Sequence, residues 1–271
     1  MGVVRALTAA GLLAAGSLLL AGCSGASVES TGSVVLPPVV GAADYQLGGA
    51  YPPASQVTVV TRDSTSTPAS GIYSICYVNG FQTQPGASWP SDLVLHTASG
   101  AALVDSGWPD EHIIDISSAE KRSEAAGRLG KTIDGCADKH FAAVELDNLD
   151  SWTRSKGALT KADAIAFATL LVARAHRVGL AAGQKNASEL GRIGPDTIGF
   201  DFVVSEECDQ FSECAAYTKV YGKHVIDIEY GDELRRPFAE VCAAKSTPTL
   251  TVLRDRNLFA SGHDGYLYRH C

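Results

Sequence analysis

The chain has 271 residues, of which 45% are hydrophobic and 19% are charged, as is typical of globular proteins. Its 22 Lys and Arg residues are outnumbered by 30 Asp and Glu residues, which gives a formal net charge of −8. An acidic chain without a Lys- or Arg-rich run lacks the positive surface that binds phosphate backbones, so no nucleic-acid partner is expected. Apolar residues are spread along most of the length, which excludes a largely disordered protein.

Residues 1–22 have the parts of a lipoprotein signal peptide. Arg5 supplies a positive charge, residues 6–20 are apolar, and Leu20-Ala21-Gly22 places small residues directly before Cys23. This pattern predicts cleavage before Cys23, lipidation of its sulfur and stable anchoring through more than one acyl chain. A plain secretory signal is the alternative. A transmembrane helix is not expected, because the apolar run is shorter than the ~20 residues that a span needs.

Residues 23–39 are rich in Ser, Gly and Val and end in a Pro-Pro-Val sequence. This composition predicts a flexible tether that carries the lipidated Cys23 at its start. Residues 40–271 are then predicted to form one domain, held close to the outer side of a cell membrane. We expect this domain to be a monomer.

Six further cysteines lie at positions 76, 136, 208, 214, 242 and 271. An even number in an exported protein predicts disulfides, and the sequence leaves the pairing open. Cys208 and Cys214 are close enough along the chain to close a small loop. The chain has neither a C-x2-C nor an H-x3-H motif, and the seven histidines show no ligand spacing, so no metal or other cofactor is expected.

Short apolar runs rich in β-branched residues alternate with helical or polar stretches. Two helices are predicted, one over residues 118–129 and one over residues 164–178 with Thr160 as the N-cap. Residues 113–116 are predicted to be a short extended segment at the rim, in the long connection after the third strand. Eight strands are predicted, at residues 45–48, 57–61, 72–78, 142–146, 180–184, 200–204, 225–230 and 249–253.

The alternation of strands and helices is typical of a parallel α/β protein. At this length it predicts a (β/α)8 TIM barrel, with a doubly wound open sheet as the alternative. Four successive predicted strands end in charged or amide side chains, at residues 145–148, 184–186, 205–208 and 228–230. Because barrel enzymes carry their chemistry at the carboxyl ends of the strands, these side chains are candidates for a catalytic site.

Two carboxylates that face each other across a cleft can hydrolyse a glycosidic bond, one as acid and the other as nucleophile or base. Two other roles for Lys185 remain open: structural salt bridges with Glu145 or Glu206, or a Schiff base as in barrel aldolases. A serine hydrolase is unsupported, because the chain has no G-x-S-x-G motif. Four aromatic residues near the acids would suit stacking on sugar rings: Trp152, Phe211, Tyr217 and Tyr230.

The motifs at the predicted strand ends occur together and in one order. They are Tyr45-Gln46-Leu47-Gly48, Ile75-Cys76-Tyr77, Trp108-Pro109, Val144-Glu145-Leu146-Asp147-Asn148, Gln184-Lys185-Asn186, Glu206-Glu207-Cys208 with Cys214, and Glu229-Tyr230. This series resembles glycoside-hydrolase family 114, the endo-α-1,4-polygalactosaminidases. The resemblance implies a (β/α)8 barrel that hydrolyses α-1,4-linked galactosamine polymers without a metal.

The same resemblance implies a catalytic pair and the residues around it. Asp147 matches the nucleophile and Glu206 the general acid/base, although the two roles could be exchanged. Cys208 and Cys214 match a family disulfide. Eight residues are expected to bind substrate: Glu145, Asn148, Lys185, Asn186 and Tyr230 at matching cleft positions, Tyr77 and Asn79 from the end of the third strand and its loop, and Glu229 from the seventh strand.

The sequence therefore predicts a membrane-tethered glycosidase that cuts internal α-linkages in a galactosamine-containing or related polysaccharide. An acidic cleft suits a cationic polymer, because it raises the local concentration of the substrate. The alternative is a non-catalytic, polysaccharide-binding lipoprotein on the same barrel, because a fold does not by itself imply turnover.

Overall fold

The computed structural model describes residues 1–2 and 33–271. The predicted signal peptide, Cys23 and the first part of the predicted tether lie outside the described residues. Across the described part of the chain, every helix is too short or too polar to span a bilayer.

Within the described residues, the domain contains nine strands and four α-helices, together with short 3-10 and π helices. The strands are β1 Ala42–Gln46, β2 Val57–Asp63, β3 Tyr73–Asn79, β4 Ala143–Asp147, β5 Ala181–Lys185, β6 Phe202–Glu206, β7 Val225–Tyr230, β8 Leu250–Arg254 and β9 Tyr268–His270. The helices are α1 Ala119–Asp138, α2 Lys161–Arg177, α3 Cys214–Tyr221 and α4 Phe238–Ala243. The first eight strands pair in chain order and in parallel, which confirms the predicted TIM-barrel architecture.

The barrel closes between β8 and β1 through side chains and a short added strand. β9 pairs antiparallel with β8, and the Tyr268 hydroxyl donates to the Ala43 carbonyl oxygen at 2.9 Å. Arg254, at the end of β8, donates to the Tyr45 carbonyl oxygen and to the Asp44 carboxylate. The hydrogen bonds of Arg254 and Tyr268 therefore join the two ends of the sheet.

Both predicted helices are present, and their N-termini are capped as the sequence indicates. The Thr160 hydroxyl accepts from the Asp163 amide while the Asp163 carboxylate accepts from the Thr160 amide, a complete capping box at the start of α2. The Ser118 hydroxyl caps α1 by a single bond, accepting from the Lys121 amide. α1 continues to Asp138, nine residues beyond the predicted end at residue 129, because Ile133 and Cys136 extend its buried face.

Three features of the fold differ from the prediction. β1 begins at Ala42 rather than at residue 45, and the short β9 was missed. Residues 47–72, all of which the structure describes, contain no helix, so β1, β2 and β3 follow one another through loops alone. Residues 113–116 are extended, as predicted, but Ile113 and Ile114 are fully buried in the core beside Phe81 rather than at the rim.

The described part of the predicted tether also differs from the prediction. Val34 packs against the barrel interior cluster, and Pro37 is buried. The Val35 carbonyl oxygen accepts from the Tyr73 hydroxyl at 2.6 Å, and the Val40 carbonyl oxygen accepts from the Thr58 hydroxyl at 2.7 Å. The packed domain therefore includes residues from Val34 onward, because Val34 and Pro37 are covered and two carbonyl oxygens are bonded at the amino ends of the strands, while Val35, Leu36 and Val40 stay exposed.

Alternate residues of each strand fill the barrel interior, as the period of a strand requires. The Phe202 ring is fully buried in the barrel interior, and it fits because Gly183 on the neighbouring strand has no side chain. A Cβ on Gly183 would lie 2.6 Å from the Phe202 ring. Gly183 therefore lets β5 approach the ring closely enough to carry Lys185, two residues further on, into the upper end of the barrel.

Three disulfides join Cys76 to Cys136, Cys208 to Cys214 and Cys242 to Cys271. The second confirms the pairing that the family resemblance implied. The first links β3 to α1 across the buried layer between strands and helices, and the third fixes the end of the chain, and with it β9, to α4.

Replacing both Cys76 and Cys136 with alanine is expected to destabilise the fold by about 4 kcal/mol. The bond closes a loop of 60 residues, and opening it returns conformational entropy to the unfolded chain. Alanine leaves no buried hydroxyl at positions that are fully buried in the native protein. Urea unfolding without a reducing agent would measure the loss; an unchanged midpoint would contradict it.

Candidate active site

The carboxyl ends of β4, β5 and β6 meet above the barrel interior, and each turns sharply. The last residues of these strands are Asp147, Lys185 and Glu206, and the residues that follow them, Asn148, Asn186 and Glu207, all have left-handed backbone. Non-glycine residues in this conformation cost energy and cluster at functional sites. The same sharp turn three times in succession leaves the three charged side chains together at the mouth of the barrel.

Lys185 lies at the centre of the site. Its Nζ is 3.1 Å from Glu145 Oε1, 3.6 Å from Asp147 Oδ1 and 3.5 Å from Glu206 Oε2, and it donates to the Tyr45 hydroxyl at 3.0 Å. The side chain is only 2% exposed. The structural salt bridges considered for Lys185 are therefore present, and they connect the two predicted catalytic carboxylates.

Other hydrogen bonds fix the direction of these two carboxylates. Asp147 accepts from the Tyr77 hydroxyl at 2.7 Å and from the Asn148 amide at 2.7 Å. Because Asp147 Oδ1 and Glu206 Oε2 lie within 3.6 Å of the same nitrogen, they are at most about 7 Å apart. This limit includes the separation of about 5 to 5.5 Å found in retaining glycosidases and only the lower end of the inverting range.

Glu206 is held from the other side of the mouth. Its carboxylate accepts from the Tyr230 hydroxyl at 2.5 Å and from the Asn186 side-chain amide at 3.3 Å, and its backbone amide donates to the Asn186 side-chain oxygen at 2.8 Å. The Glu206 side chain is 28% exposed and that of Asp147 is 18% exposed. Both carboxylates are therefore oriented by donors and open to a ligand.

Three of the residues predicted to bind substrate do not line the cleft. Glu145 is fully buried beneath Lys185, because it precedes Asp147 by two residues and points to the same interior face at a deeper level. Asn79 is buried and donates to the Glu111 carboxylate at 2.8 Å. Glu229 lies on the outer face of β7, opposite to the inward-facing Tyr230, and accepts from the backbone amide of Asp209.

Burial and charge act in opposite directions on the groups at the centre. Burial raises the pKa of Glu145 to about 7, although the Lys185 ammonium and the Tyr45 hydroxyl favour its charged form. Burial lowers the pKa of Lys185, but the carboxylates of Asp147, Glu206 and Glu145 outweigh burial and raise that pKa well above its usual value. The three carboxylates therefore favour a charged Lys185, whereas Schiff-base chemistry needs a neutral amine.

Glu145 is expected to make the free energy of unfolding depend on pH. Its pKa is 4.5 in an exposed setting and about 7 in the fold, so the folded state binds this proton more tightly. The resulting stabilisation is complete below pH 4.5 and is lost as the pH rises through 7, a change on the order of 3 kcal/mol. Urea unfolding of the protein and of Glu145→Gln between these pH values would measure it; parallel curves for the two proteins would contradict the prediction.

The ends of β4, β5 and β6 form one wall of the cleft. A second wall comes from the long connection between β3 and α1 and from the segment after β4. Asp105 binds Arg154 Nε at 2.6 Å, and Arg154 also pairs with Asp150 at 2.9 Å. Glu111 accepts from Asn148 as well as from Asn79, and burial raises its pKa. Trp108 stands beside them with 63% of its surface exposed. Of this wall, the sequence motifs included only Trp108-Pro109. Asp105, Glu111 and Arg154 were missed, because irregular connections carry no periodic signal.

Together the two walls enclose a cleft of about 560 Å³ at the carboxyl ends of the strands. Five residues of the predicted substrate-binding set line it: Tyr77, Asn148, Lys185, Asn186 and Tyr230. The lining also contains five carboxylates and only two cationic side chains, namely Asp105, Glu111, Asp147, Asp150 and Glu206 against Arg154 and Lys185. The cleft is therefore acidic.

Among the described residues, one cluster brings metal-ligating groups together. Its members are Cys208, Cys214, Asp227 and Glu229. Both cysteines are used in a disulfide, so no thiolate is free to bind an ion, and the cluster lies on the outer face of the barrel wall rather than in the cleft.

Comparisons with known proteins identify the family of this chain. The model of glycoside-hydrolase family GH114 matches residues 24–271, while no curated protein matches the chain. Aspergillus fumigatus Ega3, solved in complex with galactosamine, is 24% identical with a TM-score of 0.70, over 88% of this chain and 98% of Ega3. The glycoside hydrolase domain of Pseudomonas aeruginosa PelA is 16% identical with a TM-score of 0.58, over 82% of this chain and 97% of that domain. Because the family model spans nearly the whole chain beyond Cys23, the protein belongs to glycoside-hydrolase family GH114.

Proposed function

We propose that the protein is an endo-glycosidase that hydrolyses internal α-linkages of a polysaccharide rich in galactosamine. The observation that carries the proposal is the position of Asp147 and Glu206, both oriented by hydrogen bonds and both within 3.6 Å of the same Lys185 ammonium. A polymer with free amino groups is positively charged, and the acidic cleft attracts it. Galactosamine is also the ligand named in the solved complex of Ega3.

The chemistry proposed for this pair is a double displacement with retention of configuration. Glu206 donates a proton to the glycosidic oxygen while an Asp147 oxygen attacks the anomeric carbon, so the leaving sugar departs with its hydroxyl restored. Water then attacks the same carbon, Glu206 takes its proton, and the bond to Asp147 breaks. The Lys185 ammonium and the Tyr77 hydroxyl stay beside Asp147 throughout, and they stabilise it as the leaving carboxylate of the second step.

The test is the release of oligosaccharides from purified α-1,4-galactosamine polymer and from a panel of other bacterial polysaccharides. Short soluble products from the galactosamine polymer, with the anomeric configuration retained in the first NMR spectra, would support both the substrate and the mechanism. Inverted products would replace the double displacement with a single one. Binding of a polymer without any product would favour the alternative, a polysaccharide-binding lipoprotein on the same fold.

We also propose that the protein acts outside the cytoplasm, held on the cell membrane by lipid on Cys23. The support is the signal-like sequence before Cys23 and the family match, which begins at residue 24. Metabolic labelling with radioactive palmitate should mark the protein and not its Cys23→Ala variant. A label retained by the variant, or the natural protein recovered only in the soluble fraction, would contradict the lipid anchor.

A further inference from the structure

A second cavity of about 280 Å³ adjoins the main cleft. Asp150, Asn186 and Glu206 line both cavities, whereas Lys185 and Asp147 line only the main cleft. We call the second space the adjoining cavity. A polymer that occupied the two cavities together would therefore pass directly over Glu206, the residue proposed to protonate the glycosidic oxygen.

Phe211 stands at the edge of the adjoining cavity with 61% of its surface exposed. Within the described residues, Trp108 and Phe211 are the only exposed Phe, Trp or Tyr side chains, and Trp108 lines the main cleft. A single exposed aromatic ring is common on protein surfaces, but a ring at the edge of a sugar-binding cleft is placed to stack on the apolar face of a sugar. Each of the two connected cavities thus has one exposed aromatic ring of its own.

The loop that carries Phe211 is held firmly in place. Disulfide Cys208–Cys214 closes it across six residues, and the Phe211 amide donates to the Glu207 carbonyl oxygen at 3.0 Å. Asp209, inside the loop, is buried and pairs with Arg235 and Arg236. The ring is therefore presented to solvent by a fixed backbone, and little conformational entropy is lost when a ligand binds to it.

The walls of the adjoining cavity are acidic. Glu189, Glu207 and Glu213 line it in addition to the shared Asp150 and Glu206, and no lysine or arginine is among its lining residues. Glu207 and Asp150 are paired with Arg256 and Arg154, each at 2.9 Å, so the negative charge open to an amine comes mainly from Glu189 and Glu213. An aromatic face combined with carboxylates suits a sugar that has an apolar ring face and a positive amino group, because the ring stacks while the amine is attracted by the negative charges.

On the basis of the proposed function, we propose that the adjoining cavity is an outer subsite for a further amino-sugar unit of the polymer, with Phe211 as its stacking platform. Sugar units on both sides of Glu206 would then be bound at once. This arrangement favours cleavage at bonds inside the polymer. When a bond at the end of the polymer lies at Glu206, one of the two cavities stays empty and the binding energy of that cavity is lost. The disulfide loop serves to hold the platform at a fixed distance from the reacting bond.

The test compares Phe211→Ala and Phe211→Tyr in the full-length, detergent-solubilised protein. Substrates are α-1,4-galactosamine oligomers of increasing length. Phe211→Ala should lower kcat/KM on long oligomers by roughly tenfold, mainly through KM, and leave the shortest cleaved oligomer unaffected. Phe211→Tyr keeps the ring and should behave like the natural protein. Leu170→Ala, which removes an equally unpartnered apolar side chain on α2 (41% exposed), is the matched control.

A binding measurement separates this inference from the proposed function. Calorimetric titration of the longest oligomer into Glu206→Gln, with and without Phe211→Ala, should show about tenfold weaker binding when the ring is missing. A natural protein that binds without cleaving would refute the proposed function, and the ring's effect on binding would still support the subsite. The proposed subsite would be overturned if Glu206→Gln and Glu206→Gln/Phe211→Ala bound the oligomer equally well, or if no oligomer bound at all.

Discussion

A Glu206→Gln variant is expected to lose hydrolytic activity by roughly 10²- to 10⁴-fold while keeping its fold and its affinity for the polymer. Glutamine has nearly the same shape and can still accept from Tyr230, but it cannot donate a proton to a glycosidic oxygen and take one back from water. The loss should therefore appear in kcat and not in KM. The measurement is the rate of oligosaccharide release at saturating polymer.

The matched control is Glu233→Gln, the same substitution at an exposed residue that pairs with Arg256 outside the cleft. It should leave the rate unchanged.

Rescue experiments assign the roles of the two carboxylates. A substrate whose leaving group needs no protonation should restore the first step in Glu206→Gln, and added azide should speed the second step. If a glycosyl azide of retained configuration forms in Asp147→Asn rather than in Glu206→Gln, the two carboxylates have exchanged roles. Full activity in both variants would remove the pair from the mechanism.

A Lys185→Met variant is expected to lose both activity and stability. Methionine fills a similar volume but removes the cation that Glu145, Asp147 and Glu206 share. Glu145 is then a fully buried carboxylate without a positive partner, a change that costs about 3 to 5 kcal/mol. The loss should be greater at pH 8 than at pH 5, because protonation of Glu145 at the lower pH removes the unpaired charge. Urea unfolding at the two pH values measures it.

The double variant Lys185→Met/Glu145→Gln separates the two effects. Removing the buried charge should restore most of the stability, whereas activity should stay low because Asp147 and Glu206 remain without the shared ammonium. Lys161→Met, at an exposed lysine that donates to the Glu189 carbonyl oxygen, is the control for the substitution itself. A double variant that regains activity together with stability would show that Lys185 serves the fold alone.

The inward face of the strands was the part of the site most accessible from sequence. Side chains alternate along a strand. Asp147 and Glu145 therefore share one face of β4, whereas Tyr230 and Glu229 lie on opposite faces of β7. Strict use of this alternation would have placed Glu145 below the cleft and Glu229 outside it. It would also have added Tyr45, which lies on the inward face of β1 and bonds to Glu145 at 2.8 Å.

Other features depend on contacts between parts of the chain that are distant in sequence. The wall with Asp105 and Glu111 belongs to a connection that has only isolated strand pairings, so no hydrophobic period marks its course. Cys76 meets Cys136 because β3 packs under α1, a relation that spacing alone cannot supply. β9 has three residues, fewer than a pattern of alternation needs to be recognised, and tertiary contacts alone place it beside β8.

The chain enters the barrel at the end opposite to the cleft. Residues 34–40 run along the amino ends of the strands, where Tyr73 and Thr58 bind their carbonyl oxygens, and the cleft opens at the opposite, carboxyl ends. Residues 34–40 therefore do not compete with a polymer for the acidic mouth. Long polymer strands can enter the mouth without crossing the segment by which the chain enters the barrel.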